Sequence, residues 1–169
     1  MLEDQYCSVL RSAYNCINLR VVCTLFQPFL MMEVTREILI DLADSLDCGF
    51  RCFIHKKNHE VVTFMDEDEF SDSDAWEEDI EKVFSDRDNY IEVEKMESSD
   101  GFEIMEDFLE FVDDNITKDR LLQALEGRKP FANFKIQIDN SGEYREKWFA
   151  YKRERMIDWV KGQLERELD

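Results

Sequence analysis

The spacing of apolar residues changes from helical to strand-like and back to helical along this chain, and these changes restrict the folds that the chain can adopt. Residues 50–54 and 61–65 are short runs rich in β-branched and aromatic residues, and the polar turn 56–59 between them predicts a β-hairpin. Residues 90–94 alternate apolar and acidic side chains, as a half-buried strand does. The flanking segments have helical spacing. The sequence therefore predicts an α+β fold with a small antiparallel sheet of about three strands.

Helical periodicity places one helix before the sheet and about four helices after it. Thr35 can cap the first helix, whose apolar residues recur every three or four positions. An acidic loop is predicted to lead into an acidic helix around 74–84. Four C-terminal helices are predicted. The first runs from residue 100 to about 114, and the second ends at a left-handed turn at Gly127. The third runs from Pro130 to about 140, and the fourth runs from about 143 to 168.

A single domain is predicted, because 169 residues with 44% hydrophobic content are enough to form one core. We assign residues 32–169 to it and expect 1–31 to be a disordered tail, or an extension that precedes a translation start at Met31 or Met32. The apolar run 21–32 is shorter than the ~20 residues of a membrane helix. The N-terminus lacks the basic region of a signal peptide, so we predict a cytoplasmic protein, without membrane contact, whose five cysteines are reduced.

The net charge of −19 is concentrated in the middle of the chain. Residues 1–59 contain 7 acids and 6 bases, residues 60–117 contain 23 acids and 3 bases, and residues 118–169 contain 10 acids and 12 bases. Such a field disfavours binding of nucleic acid by the acidic segment and favours a basic protein partner. The simpler alternative is that the acidity serves only solubility.

Within the predicted helix from residue 100, acids and apolar residues occupy opposite halves of the helical wheel. The apolar half contains Phe102, Ile104, Met105, Phe108, Leu109, Phe111 and Val112. The other half is the acidic ridge, made of Glu103, Glu106, Asp107, Glu110, Asp113 and Asp114. A ridge of this kind is suited to binding a basic protein surface or to mimicking a nucleic-acid backbone.

Two groups of residues suggest metal binding, and neither has the spacing that a site needs. The residue types of Cys48, Cys52, His55 and His59 all ligate zinc, but a strand would direct Cys52 and His55 to opposite faces. Cys52 is therefore predicted to be a buried strand residue. The acidic run 66–74 has Ser71 where a calcium loop needs glycine, so only diffuse cation association is expected there.

The C-terminal third combines glycine, aromatic and basic residues in a recurring pattern. Its members are Gly127, Arg128, Phe131, Phe134, Lys135, Trp148, Phe149, Tyr151, Lys152 and Trp159. This signature resembles that of uncharacterised protein family 0158, a bacterial family of unknown function, and the likeness extends back to about residue 50. The resemblance implies a fold and a bacterial source but no reaction. Where many relatives have Arg-Arg after the first phenylalanine, this chain has Ala132-Asn133.

Lys152 lies in the middle of the apolar face predicted for the last helix, with Arg145 and Gln163 close to it on the wheel. A cation in that position needs an acidic partner or a path to solvent. One interpretation is a structural ion pair, for which Glu92 and Glu126 are candidate partners. The other is an anion pocket formed by Arg128, Lys135 and Lys152, which would bind a nucleotide or nucleic acid.

The sequence has few features of an enzyme. It contains only two histidines, and it has no glycine-rich phosphate loop, no G-x-S-x-G motif and no H-E-x-x-H motif. No cofactor and no catalytic residue is predicted. The favoured interpretation is a non-catalytic acidic protein that acts by binding a partner. The alternative is a nucleotide- or nucleic-acid-binding protein, or an enzyme, that uses the C-terminal signature.

Overall fold

The computed structural model describes residues 34–65 and 76–168. Predictions for the N-terminal segment and for the acidic run 66–74 lie outside these residues. The strands are β1 (Arg51–His55), β2 (Val61–Phe64) and β3 (Tyr90–Val93). The helices are α1 (Arg36–Asp47), α2 (Glu77–Ser85), α3 (Ser98–Phe108), α4 (Asn115–Glu126), α5 (Pro130–Asp139) and α6 (Glu143–Leu168), with short 3-10 turns at Arg87–Asn89 and Leu109–Phe111. The predicted α+β class is confirmed.

The sheet is antiparallel in the order β2-β1-β3, so both neighbours of β1 pair with it. The predicted hairpin joins β1 to β2. Its turn is closed by hydrogen bonds from the backbone N–H of His59 to the carbonyl of His55 (2.9 Å) and from the N–H of Lys57 to His55 Nδ1 (3.2 Å). His59 has a positive φ of 55°, which lets the chain turn there.

Alternating residues of the sheet face two different apolar clusters, as period-two strands require. Cys52 and Ile54 of β1 lie among apolar side chains of α1 and α6. Phe53, between them in sequence, packs with Val83 of α2 and stacks on Phe64 of β2 at 5.0 Å between ring centroids. Helices α1 and α6 thus cover one face of the sheet, and α2 covers the other.

A third apolar cluster holds the C-terminal helices together. It contains residues of α3, α4, α5 and the first part of α6, among them Phe108, Leu121, Phe134 and Trp148. Helix α6 spans 26 residues and contributes to this cluster with its first part and to the sheet core with its last part. It is therefore the element that joins the helical bundle to the sheet.

Two local predictions are wrong. The helix predicted to reach residue 114 ends at Phe108, where the 3-10 turn begins, and Asp114 instead caps α4 by accepting the N–H of Thr117 at 2.8 Å. Gly127 has an ordinary φ of −81°, and Lys129 is the left-handed residue (φ 59°). A Cβ on Gly127 would lie 3.3 Å from Asn133 Nδ2, so a larger residue there would require the Asn133 side chain to shift.

Candidate functional site

Four consecutive charged side chains in the middle of α6 each reach across to another helix. The pairs are Lys152 with Asp47, Arg153 with Asp44, Glu154 with Arg36 at 2.6 Å, and Arg155 with Asp107 at 3.4 Å. Three of the partners lie on α1 and one lies on α3. The basic residues after Tyr151 therefore connect α6 with the two helices that pack beside it.

Lys152 forms an ion pair, as one of the two interpretations predicted, but its partner is neither Glu92 nor Glu126. Its ammonium group pairs with Asp47 at the end of α1, while Glu92 accepts from Arg51 at 2.7 Å and from Arg87 at 3.0 Å. The Lys152 side chain is 32% exposed, because it runs along α6 to the rim of the α1–α6 packing. Snorkelling of this kind leaves the charge partly hydrated.

We expect Lys152→Met to lower the free energy of unfolding by no more than about 1 kcal/mol, because both members of the pair are partly hydrated. Urea unfolding of the full chain, with Asp47→Asn and the double variant, gives the coupling energy of the pair. The coupling should be positive at low salt and should vanish in ~1 M NaCl, where charges are screened beyond ~3 Å. Zero coupling at low salt would show that the pair adds nothing to stability.

The ion pairs between α1 and α6 form the rim of a surface groove of about 320 Å³. Its walls include the apolar side chains of Ala43, Phe149 and Met156. Asp44 and Asp47 also line it, so each cation of the rim faces a carboxylate. An anion entering this groove would meet charges that are already compensated.

Two aromatic members of the signature, Phe134 and Trp148, are core residues, whereas Phe131 and Phe149 are exposed. Trp148 lies between Phe108 and Phe134, with ring centroids 5.2 Å and 4.8 Å away and edge-to-face geometry. Tyr151 packs on Phe108 and on Phe111, at 5.6 Å and 5.0 Å. These contacts join α3, α5 and α6 and account for Phe134, Trp148 and Tyr151 without a ligand.

The structure does not bring Arg128, Lys135 and Lys152 together in one pocket. Lys152 lines the α1–α6 groove, and neither Arg128 nor Lys135 is part of that lining. Arg128 lies in the α4–α5 turn, where its carbonyl accepts from Asn133 Nδ2 at 2.7 Å, and its side chain is exposed. Lys135 is exposed on α5. The three-residue anion pocket is therefore not formed.

The six residues of the predicted acidic ridge do not lie on one helix, because α3 ends at Phe108. Glu103, Glu106 and Glu110 are exposed on one side of α3 and of the turn that follows it. Asp107 is half-buried and pairs with Arg155, and Asp114 is engaged in capping α4. Hydrogen bonds from Thr117 hold the pKa of Asp114 below its usual value. Phe111, assigned to the apolar half, is 55% exposed.

The residues of the zinc-like pattern are separated by the fold. Cys48 is exposed at the end of α1, while Cys52 is buried in β1 as predicted. Burial raises the pKa of the Cys52 thiol to about 12, so it stays protonated and unreactive at neutral pH. His55 stacks edge-on against Tyr90, and His59 is buried in the hairpin turn.

Sequence reasoning missed a polar contact that closes the edge of the sheet. Gln163 is buried, and its side-chain amide donates to the carbonyl of Glu94 (3.0 Å) and accepts the N–H of Glu94 (2.9 Å). Trp159 Nε1 donates to the same carbonyl at 3.0 Å. The signal was present, because a glutamine on an otherwise apolar helical face needs a buried polar partner.

The fold and the C-terminal signature together define an α+β domain built around one long helix. The family model for UPF0158, an uncharacterised protein family, matches residues 27–167, and the chain belongs to this family. A UPF0158 protein of Pseudomonas aeruginosa (strain PAO1) is 30% identical over 73 residues, which are 43% of this chain and 48% of that protein. The chain thus spans about half the length of that relative. No solved structure matches it.

In the part of the chain that the structure describes, every helix is too short or too polar to cross a membrane.

Proposed function

We propose that this chain is a non-catalytic cytoplasmic protein that binds a basic protein partner through the outer face of α3. The observation that carries the proposal is the set of three exposed carboxylates on that face, Glu103, Glu106 and Glu110. None of the three forms an ion pair with another described residue. Free carboxylates in one row attract and orient a cationic surface.

An exposed aromatic group beside the carboxylates supports a protein as the partner. Phe111 directly follows Glu110, and this residue is 55% exposed even though its ring packs on Tyr151. Binding sites for proteins commonly combine an aromatic anchor with charges around it. A surface that served solubility alone would not need Phe111 exposed within it.

Nucleotide or nucleic-acid binding by Arg128, Lys135 and Lys152 has less support. Lys152 is already paired with Asp47, and the other two residues lie on a different part of the surface. The net charge of −19 also opposes approach of a polyanion.

The test is affinity capture from a bacterial lysate with the full chain as bait. Wild type should retain a basic protein that is released above ~0.5 M salt, because exposed charges are then screened. The triple variant Glu103→Gln, Glu106→Gln, Glu110→Gln should lose it. The matched control changes three exposed carboxylates elsewhere, Glu126→Gln, Glu146→Gln and Glu167→Gln, and should retain it.

Equal capture by the triple variant and the control would overturn the proposal. Equal loss would show that net charge determines what the protein binds, and equal retention would assign the binding to another surface. Phe111→Ser gives an independent check, because it leaves every carboxylate in place and should still weaken capture.

A further inference from the structure

The helices α4 and α5 and their turn form a basic surface in an acidic protein. From Asn115 to Asp139 the chain has five bases (Lys118, Arg120, Arg128, Lys129 and Lys135) and three acids (Asp119, Glu126 and Asp139), a net charge of +2 in a chain of −19. We call this segment the basic hairpin. The rest of the chain therefore has a net charge of −21.

Most other bases of the described chain form ion pairs, whereas the bases of this hairpin do not. Ten of the fourteen described Lys and Arg side chains outside the hairpin form ion pairs. None of the five on the hairpin pairs with another described residue. In a chain with 40 carboxylates, five cations of one helical hairpin that form no ion pair are available to an anionic partner.

The basic hairpin also exposes apolar side chains. Of the seven large apolar side chains that are exposed in the described residues, four lie on it: Ile116, Leu122, Phe131 and Ile136. Ile136 lines a groove of about 250 Å³ between α4 and α5, with Arg120, Gln123 and Asn133 among the other lining residues. No carboxylate lines this groove. Cations around exposed apolar groups fit an acidic helix that presents an apolar residue.

Helix α2 is an acidic helix that presents an exposed apolar residue. It carries four acids and one base, and the base, Lys82, is already paired with Glu60 at 2.5 Å. Glu77, Glu81 and Phe84 are spaced four and three residues apart, which places them on one side of the helix. Phe84 is 52% exposed. The helix therefore presents an aromatic group among uncompensated carboxylates.

We infer that the basic hairpin of one chain binds α2 of a second copy, and that two such contacts related by a two-fold axis form a dimer. In a two-fold arrangement both surfaces of both copies are used, so the assembly closes at two chains. Repulsion between the net charges of the two copies is screened beyond the Debye length of ~8 Å at physiological salt. The basic hairpin and α2 are in contact in the dimer, so the attraction between them is screened less. A single nucleic-acid strand fits less well, because it would extend beyond the hairpin onto acidic surfaces, and Phe131 is the one aromatic side chain among the four exposed apolar residues of the hairpin that could stack on a base.

The test is the molar mass of the full chain in solution, measured by light scattering and sedimentation velocity over a range of concentrations. The expected mass at the upper end is twice the chain mass of 20.3 kDa. Arg120→Glu with Lys135→Glu should raise the dimer dissociation constant on the order of tenfold or more, as should Glu77→Lys with Glu81→Lys. Combining the two pairs of substitutions should restore the dimer, because the charges are then exchanged across the contact.

The matched control is Lys57→Glu with Lys95→Glu, which changes the net charge equally at two exposed bases away from the hairpin, and it should leave the dimer intact. Phe84→Ser tests the apolar part of the contact without changing charge, and circular dichroism verifies that each variant is folded. A monomeric wild type at every concentration overturns the inference, and so does equal loss in the control. A monomer that binds labelled single-stranded DNA through Arg120 and Lys135 would assign the surface to nucleic acid instead.

Discussion

Trp148→Ala is expected to lower the free energy of unfolding by about 3–5 kcal/mol, a large part of the stability of a domain of this size. The indole is only 7% exposed and lies between the rings of Phe108 and Phe134. Alanine would leave a cavity where α3, α5 and α6 meet, and both neighbouring rings would lose an edge-to-face contact. Urea unfolding followed by circular dichroism measures the loss.

The next residue provides a matched control. Phe149 is also aromatic and on the same helix, but it is exposed at the α1–α6 groove, with the guanidinium of Arg145 at 4.9 Å from its ring centroid. Phe149→Ala should cost about 1 kcal/mol or less. Equal losses at positions 148 and 149 would contradict the packing described for α6. A Trp148→Ala protein that unfolds without cooperativity would show that this cluster is needed for a unique fold.

The strands and most helices could be predicted because each has a period that the sequence displays locally. The alternation of β1 between Cys52, Phe53 and Ile54 reflects two buried faces, and Thr35 caps α1 where the pattern begins. The C-terminal helix was predicted at about 143–168, and its observed bounds are Glu143–Leu168. These features depend on neighbouring residues alone, which is why one sequence suffices for them.

The end of α3 could not be predicted from periodicity. Leu109 and Val112 continue an apolar spacing that fits a longer helix, and both are buried, yet the chain turns between them. The turn is stabilised from outside the segment, because the hydroxyl of Tyr144 on α6 accepts the N–H of Asp114 at 3.0 Å. Asp114 is a residue type that commonly caps a helix, but the apolar spacing assigned it to the preceding helix.

The partner of Lys152 depends on tertiary structure in the same way. A helical wheel gives the face on which a side chain lies, but not which helix packs against that face. The packing of α1 beside α6 places Asp44 and Asp47 next to the basic residues, although more than one hundred positions separate them in sequence. The basic–aromatic signature resembled a ligand site because ion pairs between helices and phosphate sites use the same residue types.

Most of the signature therefore acts in folding, and this changes where function should be sought. Phe134, Trp148, Tyr151 and Lys152 are committed to contacts within the domain, whereas Arg128, Phe131 and Lys135 are exposed on the basic hairpin. In the described chain, the α3 face, α2 and that hairpin each combine unpaired charge with an exposed apolar group. These three surfaces are the ones that the proposed protein contacts would use.

Gln163→Leu is expected to lower the free energy of unfolding by about 1–3 kcal/mol, although leucine preserves the size of the side chain. The amide of Gln163 contacts both backbone groups of Glu94, directly after the edge strand β3. Leucine would leave the N–H of Glu94 without its partner in a part-buried position, while Trp159 would still donate to the carbonyl. Trp159→Phe, the matched control, removes that donor only and should cost about 1 kcal/mol.

The variant Gln163→Glu separates the contribution of these hydrogen bonds to stability from the contribution of packing. A carboxylate there accepts the N–H of Glu94 but repels its carbonyl, so burial and repulsion raise the pKa of the introduced carboxyl above its unfolded value. An acid whose pKa is higher in the folded state than in the unfolded state stabilises the fold at low pH. This stabilisation is lost as the pH rises through the folded-state pKa. Relative to wild type, the variant should therefore be less stable at pH 7 than at pH 5. A deficit that did not change with pH would mean that Gln163 acts by shape alone.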